Sequence, residues 1–245
     1  MNTLSKRNPG GLQGLLALVL LGCLLGVSTL YAQERLQGAW MQQEGDKNML
    51  LLFQDGYLTR TDYTPQAFIL SQGGLVESRG DSLRLRWEFD SQTPENVGQV
   101  LQGIFQIEGD ILTLKLGEKT QTYRRMDTLE EPLAGVWQIT QRKQAGQLGP
   151  VTHTGTRKTL KILSGNRFQW FAIDPGEKRF NATGGGRYTF EDGVYTEHIE
   201  FFSRDSTRVG ASLEFQGAIK AGEWHHQGTS SKGQAIYEVW SKVQQ

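Results

Sequence analysis

The sequence predicts an all-β protein, two tandem antiparallel β-barrels behind an N-terminal export segment. Three observations lead there. An internal duplication sets the number of units, and apolar residues alternate with period two along short runs. Thirty glycines also stand against six prolines, many of them between those runs, where tight turns are needed.

The chain begins with Lys6 and Arg7, continues through an apolar stretch from about Leu15 to Leu30, and turns polar at Tyr31-Ala32-Gln33-Glu34. Residues 1–32 therefore read as a signal peptide, cleaved after Ala32 or kept as an anchor. The charge placement puts everything after it outside the cytoplasm in either case. Cys23, the chain's one cysteine, follows Leu20-Leu21-Gly22 as in a lipoprotein box, so lipidation there is a third outcome. The apolar residues from Leu24 to Val27 favour the plainer reading of a cysteine inside the apolar stretch. Contact with a membrane is expected through this segment alone, uncleaved or lipidated. The rest of the chain has no thiol, which excludes disulfides and thiolate metal sites there.

Two openings match. Leu36-Gln37-Gly38-Ala39-Trp40 recurs as Leu133-Ala134-Gly135-Val136-Trp137, 97 residues later. Gly73–Gly98 then aligns without gaps on Gly185–Gly210 at an offset of 112, with seven of 26 positions identical. These are Gly73/Gly185, Gly74/Gly186, Glu88/Glu200, Phe89/Phe201, Ser91/Ser203, Val97/Val209 and Gly98/Gly210. The units are residues 35–126 and 133–245, joined by a linker at 127–132. The growing offset puts about 15 extra residues in the second unit, mostly within Gln141–Thr159, which reads as a long loop.

Strands follow in order. Leu83, Leu85, Trp87 and Phe89 alternate with Arg84, Arg86 and Glu88, the pattern of a half-buried strand. Val97 to Ile107 keep the same period, and Gly109-Asp110 precede alternating Leu112, Leu114 and Leu116. In the second unit Asp192-Gly193 between two such runs is a hairpin signal. Closing these meanders into barrels would remove exposed strand edges.

The duplication also assigns faces. If Leu83, Leu85, Trp87 and Phe89 point inward, so do Tyr195, Glu197, Ile199 and Phe201. The Asp192-Gly193 turn pairs Phe190 with Tyr195 and Tyr188 with Glu197, while Leu112 and Leu114 map to Trp224 and His226. The second interior thus gathers Tyr188, Phe190, Tyr195, Glu197, Trp224 and His226 where the first has mainly aliphatic residues. Glu197 needs a partner, water or a ligand, since an isolated buried carboxylate is costly; His226, a tyrosine or an arginine are the candidate partners. His198 and His225 fall on the outer face. Gly184-Gly185-Gly186 is not a phosphate loop, because no helix follows; a bulge or crowding relief explains it.

The G-x-W openings, the meander and the endings Tyr123-x-Arg125 and Trp240-x-Lys242 resemble the lipocalin-like calycin superfamily. The resemblance implies that Trp40 under Arg125, and Trp137 under Lys242, close the barrel floors. Thr183-Gly184-Gly185-Gly186, Tyr195 to Phe201 and Tyr237-Glu238-Val239-Trp240 resemble DUF4488, a domain of exported Bacteroidetes proteins. It implies a periplasmic, outer-membrane-associated or secreted protein of a Gram-negative bacterium.

Lys plus Arg and Asp plus Glu are 26 each, with no basic patch for nucleic acid. No G-x-S-x-G, H-E-x-x-H or cysteine nucleophile occurs, and no cofactor or metal is expected. The function expected is non-enzymatic binding of a small amphipathic or hydrophobic ligand inside the second barrel. Two alternatives stand beside it: an envelope scaffold with filled barrels, and an enzyme using Glu197 and His226 as acid and base.

Overall fold

The structure, a computed structural model, describes residues 35–127, 131–230 and 233–243. The expected signal peptide, with Cys23, lies outside the described residues, as do linker residues 128–130. Two barrels follow one another along the chain. In the first, β1 (Gly38–Glu44), β2 (Lys47–Gln54), β3 (Tyr57–Tyr63), β4 (Phe68–Arg79), β5 (Ser82–Asp90), β6 (Val100–Glu108), β7 (Ile111–Leu116) and β8 (Lys119–Arg125) pair antiparallel in chain order. β8 then closes on β1 through Trp40 opposite Arg125.

The second barrel begins with β9 (Gly135–Gln144) and the short β10 (Gln147–Pro150). Its wall continues through β11 (Lys158–Leu163), β12 (Arg167–Asp174), β13 (Arg179–Glu191), β14 (Val194–Phe202), β15 (Ser212–Lys220), β16 (Glu223–Thr229) and β17 (Ala235–Lys242), and closes from β17 to β9. β10 pairs with β9 as a flanking hairpin. Part of the expected long loop at Gln141–Thr159 is therefore strand, because the insertion folds back on β9 and satisfies its own backbone groups. Asp192 and Gly193 have φ of 50° and 77°, the positive values that a two-residue hairpin turn requires.

The L-x-G-x-W repeat has a local explanation. The Trp40 indole N–H donates to the Leu36 carbonyl, and that of Trp137 to the Leu133 carbonyl, each at 2.8 Å. The Arg125 guanidinium lies 3.9 Å from the Trp40 ring centroid, and the Lys242 ammonium 5.3 Å from that of Trp137. Arg125 also donates to the carbonyls of Gln37 and Arg35, and Lys242 to that of Ala134. A cation over an indole is attracted by the ring quadrupole, and here it ties the last strand of each barrel to the chain entering the first.

Phe89 and Phe201 do not face the barrel interiors as their alternation suggested. Trp87 pairs with Gly74 and Phe89 with Gly73, so Glu88 is an extra residue in β5. In β14, Ile199 pairs with Gly186 and Phe201 with Gly185, leaving Glu200 extra. One inserted residue reverses the faces beyond it. Glycine is needed opposite each bulge: a Cβ on Gly74 would lie 2.0 Å from the Arg86 carbonyl oxygen, and one on Gly186 2.1 Å from that of His198.

The re-aimed rings join the barrels. A buried cluster between them combines Ala39, Leu50, Leu52, Tyr63 and Phe89 of the first with Val136, Leu160, Ile162, Ile173 and Phe201 of the second. These are equivalent positions, so the barrels meet through the same face, as in an isologous dimer. Phe89 stacks on Phe171 at 5.0 Å, and Tyr63 meets Phe201 at 5.0 Å. Asp127, expected as linker, accepts the Ala39 N–H at 2.9 Å with one oxygen and the Gly165 N–H at 2.8 Å with the other. It is a bridge between the two units.

Candidate functional site

The second barrel holds a cavity of about 300 Å³. Its polar wall includes Arg142 on β9, Lys161 on β11, Glu197 on β14, His226 on β16 and Glu238 on β17; Trp170, Phe202, Leu213, Phe215 and Trp240 are among its apolar walls. Strand alternation brings these side chains inward from five strands.

Glu197 is inward and 5% exposed. Its partner is Lys161, whose ammonium lies 2.8 Å from Oε1; it is none of the candidates expected from sequence. Four aromatic rings surround that ammonium, those of Trp224, Tyr195, Trp240 and Phe168, with centroids 5.0 to 5.8 Å away. The cation is therefore held by one carboxylate and a cage of π-faces.

A second ion pair lies beside the first. Arg142 donates to Oε1 of Glu238 through Nε at 3.1 Å and Nη2 at 2.7 Å. Burial would raise the Glu238 carboxyl, but His226, Arg142 and Lys161 hold it down at about 2. Nδ1 of His226 lies 3.8 Å from Oε2 of Glu238, too far for a hydrogen bond. His226 is 3% exposed, and neither of its ring nitrogens has a hydrogen-bond partner. Burial pushes its pKa below the usual 6.5, and Lys161 adds to that, against the opposing pull of Glu238 and Glu197. The shift favours the uncharged imidazole, and neither nitrogen makes a hydrogen bond.

Of the six residues expected to line a pocket, Glu197 and His226 do so. Tyr188, Tyr195 and Trp224 do not line it but pack in the core, with Tyr195 and Trp224 directly behind Lys161 and His226. The Tyr188 hydroxyl donates to the Ser164 carbonyl at 2.6 Å. Burial, then the charge of Glu197, raises the Tyr195 phenol well above 10.0. Phe190 is half-buried against the same core. On the outer face His198 bonds Ser212, and His225 bonds the Tyr237 hydroxyl, each at 2.9 Å. Glu197 and His226 are not paired with each other: the carboxylate is on Lys161, and the imidazole lies beside Glu238, at 3.8 Å. Among the described residues no cluster of three or more His, Cys, Asp or Glu could hold a metal ion.

Sequence reading missed Lys161, Arg142 and Glu238. Extending the duplication through the last strand would have found Glu238, because Gln121 opposes Leu114 as Glu238 opposes His226. Lys161 gives no such signal, since apolar residues flank it on both parities in Thr159-Leu160-Lys161-Ile162-Leu163.

The first barrel is not uniformly aliphatic either. It has an opening of about 340 Å³ lined in part by Arg60, Gln121, Trp87 and Tyr123. Arg60 contacts Asp62 at 2.9 Å and Gln121 at 3.1 Å. Arg60 opposes Leu51, whereas Lys161 opposes Trp170. In the first barrel Lys47 also pairs with Asp62, at 2.7 Å, so two cations share that buried carboxylate, whereas Lys161 alone pairs with Glu197.

No curated protein matches the chain. Residues 132–245, which contain the whole second barrel, match the family described as "Domain of unknown function (DUF4488)".

Proposed function

We propose that the protein is an exported, non-enzymatic binding protein that takes a small amphipathic molecule into the second barrel. The observation that carries this reading is His226, a buried imidazole on the cavity wall with both nitrogens unfilled. Buried polar groups are ordinarily paired, and a ligand hydroxyl or carbonyl would fill that gap while its apolar part lies against Trp170, Phe202 and Phe215. The cavity is at the small end of the range for small-molecule sites, which favours a compact ligand over a long-chain lipid. The paired floor cations support the calycin-like reading of both barrels, in which a closed floor leaves the opposite end as the entry. Export follows from residues 1–32 as read in the sequence.

Native mass spectrometry of the purified protein tests the proposal. A co-purifying small molecule retained by the wild type and lost from His226→Phe is the expected result. A ligand retained equally by that variant, or none under conditions that preserve complexes, counts against it.

A further inference from the structure

We propose that the seam between the barrels is a second ligand site, for an amphipathic monoanion headed by a carboxylate. The seam contains a cleft of about 500 Å³ whose polar lining includes Tyr63, Arg167, Arg187, His198 and Glu200. Glu200, the bulge residue of β14, accepts from Arg167 Nη1 at 2.6 Å, Arg187 Nε at 3.0 Å and the Tyr63 hydroxyl at 2.7 Å. Two guanidiniums against one carboxylate leave one positive charge over. The Arg167 side chain is 9% exposed, yet its Nε has no hydrogen-bond partner. A guanidinium is the side chain best matched to a planar carboxylate.

The duplication supplies an internal comparison. Glu88, equivalent to Glu200, receives the Tyr57 hydroxyl at 2.8 Å and one cation, Lys158, at 2.8 Å. Tyr57 and Leu75 stand where the second barrel has Arg167 and Arg187, so Glu88 is balanced and Glu200 is overmatched. Met41, Met126, Ile199 and Val209 supply the apolar wall of the cleft, suited to a short hydrocarbon tail rather than to a bare inorganic anion. The site shares its polar groups with neither barrel interior and is independent of the binding proposed there.

Calorimetric titration of the full chain with decanoate tests the assignment, with decanol and inorganic phosphate as comparators. Decanoate is expected to bind more tightly than either, and Arg187→Ala to weaken it at least about tenfold with unfolding temperature unchanged, because Arg187 is largely exposed. His226→Phe should leave decanoate affinity intact. Decanol or phosphate binding as tightly as decanoate, no decanoate binding, unchanged affinity in Arg187→Ala, or a loss that follows His226→Phe would each overturn the assignment.

Discussion

The ammonium of Lys161 lies 2.8 Å from Oε1 of Glu197, with the two side chains 4% and 6% exposed. The first barrel fills the equivalent positions with Leu51 and Leu85, both buried. The same architecture therefore closes without the ion pair. Desolvating two charges offsets much of their attraction, so the pair is not explained by stability.

Glu197→Gln should destabilise the protein by roughly 3 kcal/mol, because it leaves the Lys161 charge buried without its counter-charge. The double variant Lys161→Leu/Glu197→Leu, which copies the first barrel, should recover most of that loss. Urea unfolding of wild type, single and double variants checks both statements. A double variant no more stable than the single would mean that Lys161 is held chiefly by its aromatic cage.

Stability should fall with acidity in two stages. His226 is held below its unfolded value of 6.5, so the unfolded chain binds that proton more tightly. Its contribution is fully present above about pH 6.5 and is lost as pH falls below it. Glu238 is held at about 2 against an ordinary 4.5, so its contribution declines as pH falls from 4.5 toward 2. Urea midpoints measured from pH 8 to pH 4 should show the first decline in the wild type and a flatter profile in His226→Phe. An unchanged profile in that variant would assign the first stage to other groups.

Gly74→Ala and Gly186→Ala should each cost more than about 3 kcal/mol or prevent folding, since the new methyl meets backbone rather than a yielding side chain. Gly149, with nothing near its would-be Cβ, is the control, and its alanine variant should fold normally. Soluble yield and far-UV circular dichroism suffice to compare the three.

The two barrels should unfold together, because the seam buries Phe89, Phe171, Phe201 and Tyr63. A single calorimetric transition is expected for the wild type. Phe89→Asp places a charge in that apolar contact and should separate the transition into two. Two transitions already present in the wild type would show that the barrels fold as independent units.

Duplication, period-two alternation and turn chemistry were enough to read two antiparallel barrels, their order, and the inward placement of Glu197 and His226. They were enough because these signals are local: a turn dipeptide, an alternating run and a repeated opening each act within a few residues. The seven repeat identities misled in one respect. Gly73, Gly74, Glu88 and Phe89 and their counterparts mark a bulge that turns the strand end outward, and strict alternation cannot register one inserted residue. Tertiary structure decided that these positions form the seam, that Lys161 is the partner of Glu197, and that Arg167 and Arg187 converge on Glu200. Apart from Arg187 with Glu200, which share one hairpin, those pairings join residues more than thirty positions apart and depend on register and closure, which the spacing of residues along the chain does not encode.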